Sequence, residues 1–217
     1  MPDDSVVWTP TPDRVSRSNL ARFMVRAGQQ AGRPFTDYDD LYRWSVDQPA
    51  AFWAILAGFT NVRFQRLGES VLEDGDKMPG ARWFAGSRLN FAENLLKYRD
   101  ARPAIIFRSE SGARIELSFA DLYREVSRVA SGLHAAGVGS GDRVAAFMPN
   151  HPQTVIAMLA TTSLGAIWSS CSPDFGVKSM LDRFVQISPK VLFTADGYIY
   201  AGKRIDSLGL VAQISRL

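Results

Sequence analysis

A repeated alternation of short apolar runs and helix-length segments constrains the fold of residues 143–194. The runs have strand length, and the segments between them carry apolar residues at helical spacing. The predicted strands are 143–148 (RVAAFM), 166–170 (AIWSS) and 191–194 (VLFT), and the predicted helices between them are 153–164 and 177–187. Strands that alternate with helices in this way are typical of a parallel sheet whose strands are joined by crossover helices.

A longer helix and a β-hairpin are predicted ahead of this alternation. Ser118 is a candidate N-cap with Asp121 three residues further on, a pattern close to a capping box. Gly137 ends the helix, whose apolar positions recur at helical spacing: Leu122, Val126, Val129, Ala130 and Leu133. Before the helix, the apolar runs 104–107 and 115–117 flank the sequence SESGA, which predicts the hairpin.

Residues 1–100 are predicted to form a helical and irregular N-terminal layer, and residues 101–217 an incomplete α/β domain. An extended arm is expected over 1–17, where prolines are frequent. The predicted helices of the layer are 18–31, 39–44, 49–59 and a segment that ends at Leu96 with Asn90 or Ser87 as its N-cap. Aromatic residues are frequent in this layer, and packing of the layer against the main sheet explains them better than a ligand platform does.

Composition and charge narrow the possible functions. The chain has 46% hydrophobic residues among 217, which is enough to bury a core. Its 25 Lys and Arg residues against 22 Asp and Glu residues give a net charge of +3 without a dense basic block, which predicts no nucleic-acid partner. The single cysteine, Cys171, cannot form an internal disulfide or a zinc cluster. Because there is also no secretory pattern and no apolar run of membrane-spanning length, we expect a cytoplasmic protein with no membrane partner and no metal site.

Three sequence features are candidates for ligand binding or catalysis. The sequence GVGSG at 137–141 lies between a predicted helix and a predicted strand, the reverse of the dinucleotide-binding order, so it predicts a helix cap and a turn. His151 follows the first parallel strand, where it could touch a ligand or be a solvated loop histidine, the latter being favoured. Cys171 follows the next strand, and without an identifiable base it is interpreted as a bystander thiol. No catalytic residue is predicted.

Positive charge follows the last predicted strand. The chain leaves this strand as TADGYIYAGKR, with Lys203 and Arg204 close to the carboxyl edge of the sheet. A phosphate ligand would find charge and open backbone there. No Walker-type phosphate loop supports the interpretation, because the sequence has no G-x-x-x-x-G-K-[ST] motif.

Several longer motifs carry a family resemblance. They are WTPTPDRVSRSNLARF at 8–23, FTDYDDLYRWSVDQPAAFW at 35–53, MPGARWFAGSRLNFAENLL at 78–96, and the block 118–203. With these motifs the chain resembles acyl-CoA synthetases of the adenylate-forming superfamily, most closely the acetoacetate–CoA ligases. The WSV…FW and ARWF…LNFAENLL elements are specific to that group, whereas the remainder is shared with acetyl- and propionyl-CoA synthetases.

The resemblance implies a fold and a reaction. The fold is α/β, the N-terminal part of the large adenylate-forming domain, with a mainly parallel sheet flanked by helices. Residues 1–100 would be the N-terminal extension found in acetyl-CoA synthetases, and 101–217 the start of the AMP-binding domain. The implied reaction uses ATP and Mg²⁺ to adenylate acetoacetate, and the thiol of coenzyme A then displaces AMP.

The resemblance also implies coenzyme-binding residues. Acetyl-CoA synthetases have two arginines that bracket an Ala-Gly pair at their coenzyme A nucleotide site, and here Tyr200 and Lys203 stand at those places. Lys203 keeps a point charge for a phosphate but lacks the bidentate fork of arginine. Asp174 stands where those relatives have a glycine near the coenzyme, and Phe175 follows it.

Several parts of the family pattern are missing from these residues. The phosphate loop with its lysine, the adenine and ribose motifs, and the small C-terminal domain with the adenylation lysine are not found. We therefore expect an N-terminal portion of a longer ligase that does not catalyse adenylation alone. The alternatives left open are an acetyl- or propionyl-CoA synthetase, and a non-catalytic α/β chain that binds a nucleotide or a partner.

Overall fold

The computed structural model describes residues 7–173 and 175–214. The chain divides into two compact units, Met1–Leu89 and Asn90–Leu217. Among the described residues, no helix is both long enough and apolar enough to cross a membrane. The predicted boundary at residue 100 stays a prediction.

The first unit is mainly helical. Its helices are α1 (Pro12–Ser16), α2 (Asn19–Ala31), α3 (Tyr38–Asp47) and α4 (Pro49–Phe59), and two short antiparallel strands follow, β1 (Leu72–Glu73) and β2 (Arg82–Trp83). The prediction of an extended arm over 1–17 is wrong at α1, because the side chain of Thr11 caps this helix and Pro12 occupies its first turn.

Aromatic side chains form the core of the first unit. Phe23 is buried and lies edge-on to Phe52 and Phe59, with ring centroids 5.6 and 5.3 Å apart. Phe35 packs against Trp44 in the same cluster. These rings are packing residues, but they pack on one another within the first unit, and packing against the main sheet stays a prediction. Tyr38 and Tyr42 on α3 stack on each other and remain exposed.

The second unit alternates strands and helices. Its elements are α5 (Phe91–Leu95), β3 (Pro103–Arg108), β4 (Arg114–Ser118), α6 (Phe119–Ala135), β5 (Arg143–Phe147), α7 (Pro152–Ser163), β6 (Ile167–Cys171), α8 (Val177–Ile187), β7 (Val191–Thr194), β8 (Gly197–Tyr200), β9 (Lys203–Asp206) and α9 (Leu208–Ile214). The predicted hairpin is confirmed as the antiparallel pair β3–β4. The GVGSG segment is confirmed as a turn between α6 and β5, with φ +80° at Gly137 and +82° at Gly141.

A parallel sheet forms the centre of the second unit, as predicted. Its strand order is β6-β5-β7, and β5 pairs in parallel with both neighbours. Successive residues of the central strand contribute to two separate apolar clusters. Val144 packs in the cluster that contains α6 and α7, whereas Ala145 and Phe147 pack in the cluster that contains α8. Because side chains alternate along a strand, helices cover both faces of the sheet.

The capping box predicted for α6 is confirmed. The Asp121 N–H donates to Ser118 Oγ at 3.1 Å, and the Ser118 N–H donates to Asp121 Oδ2 at 3.1 Å. Asn90 is the N-cap of α5, so of the two predicted candidates Asn90 is the correct one. Its amide also donates to the carbonyls of Thr162 and Ser163 at the end of α7. These contacts hold α5 and α7 together within the second unit.

Candidate functional site

A cleft of about 520 Å³ lies where the parallel strands end. Residues 149–151 after β5, 172–173 after β6 and 197–200 after β7 form one side of its lining. The β3–β4 hairpin lines the remainder through 107–111, Ala113 and Ile115. Open α/β sheets bind ligands at the carboxyl ends of their strands, so the cleft is the candidate site of the second unit.

His151 lies in the wall of this cleft. Its ring is half-buried, with its centroid 4.4 Å from that of Phe107, and Nδ1 bonds the side chain of Gln153. His151 is thus a partly exposed loop histidine, and contact with a ligand stays a prediction. Its ring and that of Phe107 form an aromatic surface in the cleft wall that a planar ligand could contact.

Two of the four residues predicted at the coenzyme site lie on a hairpin that the sequence patterns did not reveal. The strands β8 and β9 pair in antiparallel register, with Tyr200 directly opposite Lys203. Ala201 and Gly202 form the turn with φ +49° and +72°, and two positive values are the signature of a type I′ turn. Two directly opposed residues project from the same face of a hairpin, so the fold brings Tyr200 and Lys203 together.

The second cation of the predicted basic rim is separated from the first. Arg204 stands opposite Ile199, the next pair along the hairpin. Since neighbouring pairs project to opposite faces, Arg204 and Lys203 do not share a surface. Within residues 7–173 and 175–214, the ammonium of Lys203 and the hydroxyl of Tyr200 have no hydrogen-bond or ion-pair partner, and Tyr200 is 57% exposed.

Phe175 lies just beyond the cleft lining, after β6. Its backbone N–H donates to the carbonyl of Ser172 at 3.2 Å, and the guanidinium of Arg183 lies 4.4 Å from its ring centroid. The cation–π contact joins the loop after β6 to helix α8. The fourth predicted site residue, Asp174, lies outside the described residues.

Cys171 is buried at the end of β6, 4% exposed. Burial raises the pKa of its thiol, while the positive charge of Arg183 acts in the opposite direction. A thiol that is buried and protonated is a poor nucleophile, in agreement with the interpretation of Cys171 as a bystander. Among the described residues, no group of three or more His, Cys, Asp and Glu side chains could hold a metal ion.

Two family profiles match this chain. The profile of AMP-binding enzymes matches residues 91–215, and that of the acetyl-coenzyme A synthetase N-terminus matches residues 38–95. The first match covers more than half of the chain, and the chain therefore belongs to the family of AMP-binding enzymes.

Within this family, the chain is similar to several acetoacetyl-CoA synthetases. The chain is 49% identical over 200 residues to the acetoacetyl-coenzyme A synthetase of Rhizobium meliloti (strain 1021), an alignment that covers 92% of this chain and 31% of that protein. It is 38% identical over 212 residues to the acetoacetyl-CoA synthetase of Macaca fascicularis, which covers 96% of this chain and 31% of that protein. The solved structure of the acetoacetyl-CoA synthetase from Streptomyces lividans superposes with a TM-score of 0.88 at 42% identity, over 96% of this chain and 33% of that one.

These similarities confirm the predicted fold and family resemblance. The chain has the fold of the matching part of an adenylate-forming acyl-CoA synthetase. It spans about a third of the length of the relatives that it matches.

Sequence reasoning missed two parts of the candidate site. The first is the β8–β9 hairpin, whose strands are four residues each and whose Ala-Gly turn is not among the dipeptides that predict a two-residue hairpin turn. The second is the β3–β4 hairpin as a wall of the cleft. No local pattern could have revealed that wall, because it depends on how the hairpin packs beside the sheet.

Proposed function

We propose that this chain forms part of an acid–thiol ligase that converts acetoacetate, ATP and coenzyme A into acetoacetyl-CoA, AMP and pyrophosphate. The observation that carries the proposal is the cleft at the carboxyl edge of the parallel sheet, beside the Tyr200–Lys203 pair, in a chain of this family. The choice of acetoacetate is supported by the similarity to acetoacetyl-CoA synthetases from bacteria and animals.

The proposed chemistry has two displacements. A carboxylate oxygen of acetoacetate attacks the α-phosphorus of ATP, and pyrophosphate leaves. The sulfur of coenzyme A, after loss of its proton, then attacks the acyl carbon, and AMP leaves. The first step is required because a thiol cannot displace oxide from a carboxylate, whereas AMP is a good leaving group from the acyl-adenylate. Both steps depend on positioning and on stabilising phosphate charge.

This chain contributes a coenzyme A surface to the proposed enzyme. Lys203 would place its ammonium against a phosphate of the coenzyme nucleotide, and Tyr200 would offer its hydroxyl on the same face. Phe175, whose ring contacts the Arg183 guanidinium, would offer an apolar ring. Asp174, which the family resemblance adds to the coenzyme residues, lies outside the described residues. ATP enzymes of this kind commonly use Mg²⁺, but no acidic cluster among the described residues fits that ion, so no step is assigned to it in this chain.

The substrate is tested by acetoacetate-dependent exchange between ATP and labelled pyrophosphate. The complete gene product that contains these residues is compared with the 217-residue chain, using acetoacetate, acetate and propionate. We expect exchange by the complete product with a preference for acetoacetate, and none by the short chain. A preference for acetate or propionate would indicate an acetyl- or propionyl-CoA synthetase. Absence of exchange by both proteins would favour a non-catalytic chain that binds a nucleotide or a partner.

The coenzyme A surface is tested by Lys203→Ala in the complete product. Loss of one charged phosphate contact should raise the KM for coenzyme A about tenfold. Arg204→Ala is the matched control, because it removes the same charge from the opposite face of the hairpin. Equal effects of the two variants would indicate general electrostatics and contradict the proposed contact.

The proposal includes a cytoplasmic location, where ATP, coenzyme A and a reducing environment occur together. The buried thiol of Cys171, the single cysteine of the sequence, is compatible with that compartment. Fractionation of the native organism followed by immunoblotting tests the location. Recovery of the protein with membranes would contradict it.

A further inference from the structure

The turns of two hairpins are joined by one hydrogen bond. The backbone N–H of Gly202, in the β8–β9 turn, donates to Oε2 of Glu110, in the β3–β4 turn, at 3.1 Å. The two residues are 92 positions apart in the chain. Both hairpins line the cleft, so this bond joins two parts of its wall.

The Gly202 N–H has no partner within its own turn. In a two-residue hairpin turn the closing hydrogen bonds join the flanking residues, here Tyr200 and Lys203, and the second turn residue is left without a partner in the turn. Ala201 also adopts a left-handed conformation that an L-residue rarely adopts. A carboxylate that accepts the Gly202 N–H therefore stabilises a turn that its own sequence favours weakly.

The carboxylate of Glu110 binds the backbone of the β8–β9 turn. Among the described residues Lys203 forms no ion pair, so Glu110 is not its salt-bridge partner. The carboxylate fixes the turn, and the turn fixes the two side chains on either side of it.

We infer that Glu110 is a positioning residue for coenzyme A, which acts through the Ala201–Gly202 turn to hold Tyr200 and Lys203 in place. This inference rests on the proposed function. It assigns a role in coenzyme binding to a residue of the β3–β4 turn, far in sequence from the Tyr200–Lys203 pair.

The test uses the complete gene product and three variants. Glu110→Ala removes the acceptor and should raise the KM for coenzyme A about threefold to tenfold, the range of one hydrogen bond, with kcat at saturating coenzyme A changed less. Glu110→Gln keeps an acceptor oxygen and should restore a KM within about twofold of the native value. Glu116→Ala is the matched control, because this acid lies on the same hairpin and pairs with Arg114.

A double-mutant cycle and hydrogen exchange separate positioning from general stability. If Glu110 acts through the turn, Glu110→Ala should raise the KM little further in a Lys203→Ala background. The Gly202 amide should exchange faster in Glu110→Ala and near the native rate in Glu110→Gln.

The possible failures are distinguishable. A native KM in Glu110→Ala, together with a raised KM in Lys203→Ala, would overturn the role of Glu110 and leave the proposed function standing. A full additional effect of Glu110→Ala in the Lys203→Ala background, or unchanged exchange at Gly202, would also overturn it. A native KM in Lys203→Ala would remove the proposed coenzyme A surface, while pyrophosphate exchange would still report on acetoacetate activation.

Discussion

Tyr200 and Lys203 face each other across the Ala201–Gly202 turn as a directly opposed pair. A hydroxyl and an ammonium therefore project together from a hairpin at the carboxyl edge of the parallel sheet. This arrangement places one cation where the family resemblance implies two arginines. Substitution of arginine for Tyr200 tests whether a second cation would strengthen the binding of coenzyme A.

Tyr200→Arg should tighten the binding of coenzyme A. A guanidinium at this position adds a planar fork that can bind a phosphate through two hydrogen bonds, so the KM for coenzyme A should fall about threefold to tenfold. Steady-state kinetics of the complete gene product gives the value. Tyr200→Lys is the matched control, because it adds the same charge without the fork. An equal fall in both variants would show that charge alone is responsible, and a rise in both would contradict the proposed surface.

Arg183→Ala should weaken the same binding through Phe175. The guanidinium stacks on this ring, and an exposed cation–π contact of about 0.5–1 kcal/mol corresponds to a KM for coenzyme A raised about twofold to fivefold. Arg183→Lys keeps the charge without the planar stack. Lys178→Ala removes another exposed cation of α8 and serves as the control. If Lys178→Ala has the larger effect, the contact between Arg183 and Phe175 is not the cause.

The capping box of α6 should contribute to stability in a pH-dependent way. The Ser118 hydroxyl and N–H bond the Asp121 carboxylate and hold its pKa below its usual value, with a further contribution from Arg124. A carboxyl whose pKa is lower in the folded state stabilises the fold above its unfolded pKa of about 4. That stability is lost as the pH falls from about 4 towards the lowered folded value. Asp121→Asn should therefore flatten the acid side of a plot of Tm against pH.

Ser118→Ala provides the companion measurement for the capping box. It removes the N-cap oxygen and should lower the free energy of unfolding by about 1 kcal/mol at pH 7. It should also make Tm depend less on pH below about 4, because the Ser118 hydroxyl is the largest cause of the lowered Asp121 pKa. If Tm falls with decreasing pH as steeply in Asp121→Asn and Ser118→Ala as in the native protein, the capping box is not the source of the pH dependence.

Asn90→Ala should destabilise the second unit by about 1–2 kcal/mol. Asn90 Oδ1 accepts the Glu93 N–H at 3.0 Å as an N-cap, and its amide donates to the Thr162 and Ser163 carbonyls. Urea unfolding gives the stability, and amide exchange at Glu93 reports the cap directly. Asn90→Asp keeps the cap and loses the amide donors, so it separates the two contributions. Unchanged exchange at Glu93 in the alanine variant would contradict the capping role.

Cys171 should react slowly with iodoacetamide in the native protein. Its thiol is buried among Phe147, Met180 and Phe184, so the reagent reaches the sulfur poorly. Burial also raises the pKa of the thiol, so little of the reactive thiolate is present. Modification in urea should proceed at the rate of a free thiol. Cys171→Ala should retain pyrophosphate exchange in the complete product. Rapid modification of the native protein, or loss of exchange in this variant, would contradict the bystander interpretation.

The sequence by itself determined the local elements and their alternation. The predicted bounds of 49–59, 177–187 and 191–194 coincide with α4, α8 and β7. Periodic apolar residues and flanking breaks specify such segments, because helix and strand formation depend on neighbours within a few positions. The same alternation also predicted the parallel sheet, since strands joined by helices have few other ways to bury both faces.

Only the tertiary structure decided which side chains meet at the candidate site. The Glu110–Gly202 bond and the contact between the rings of His151 and Phe107 have no local signature. Each depends on where a hairpin lies beside the sheet, which is set by contacts between residues tens of positions apart. Local patterns record the conformation of a segment, whereas a site is formed by segments that become neighbours only when the chain has folded.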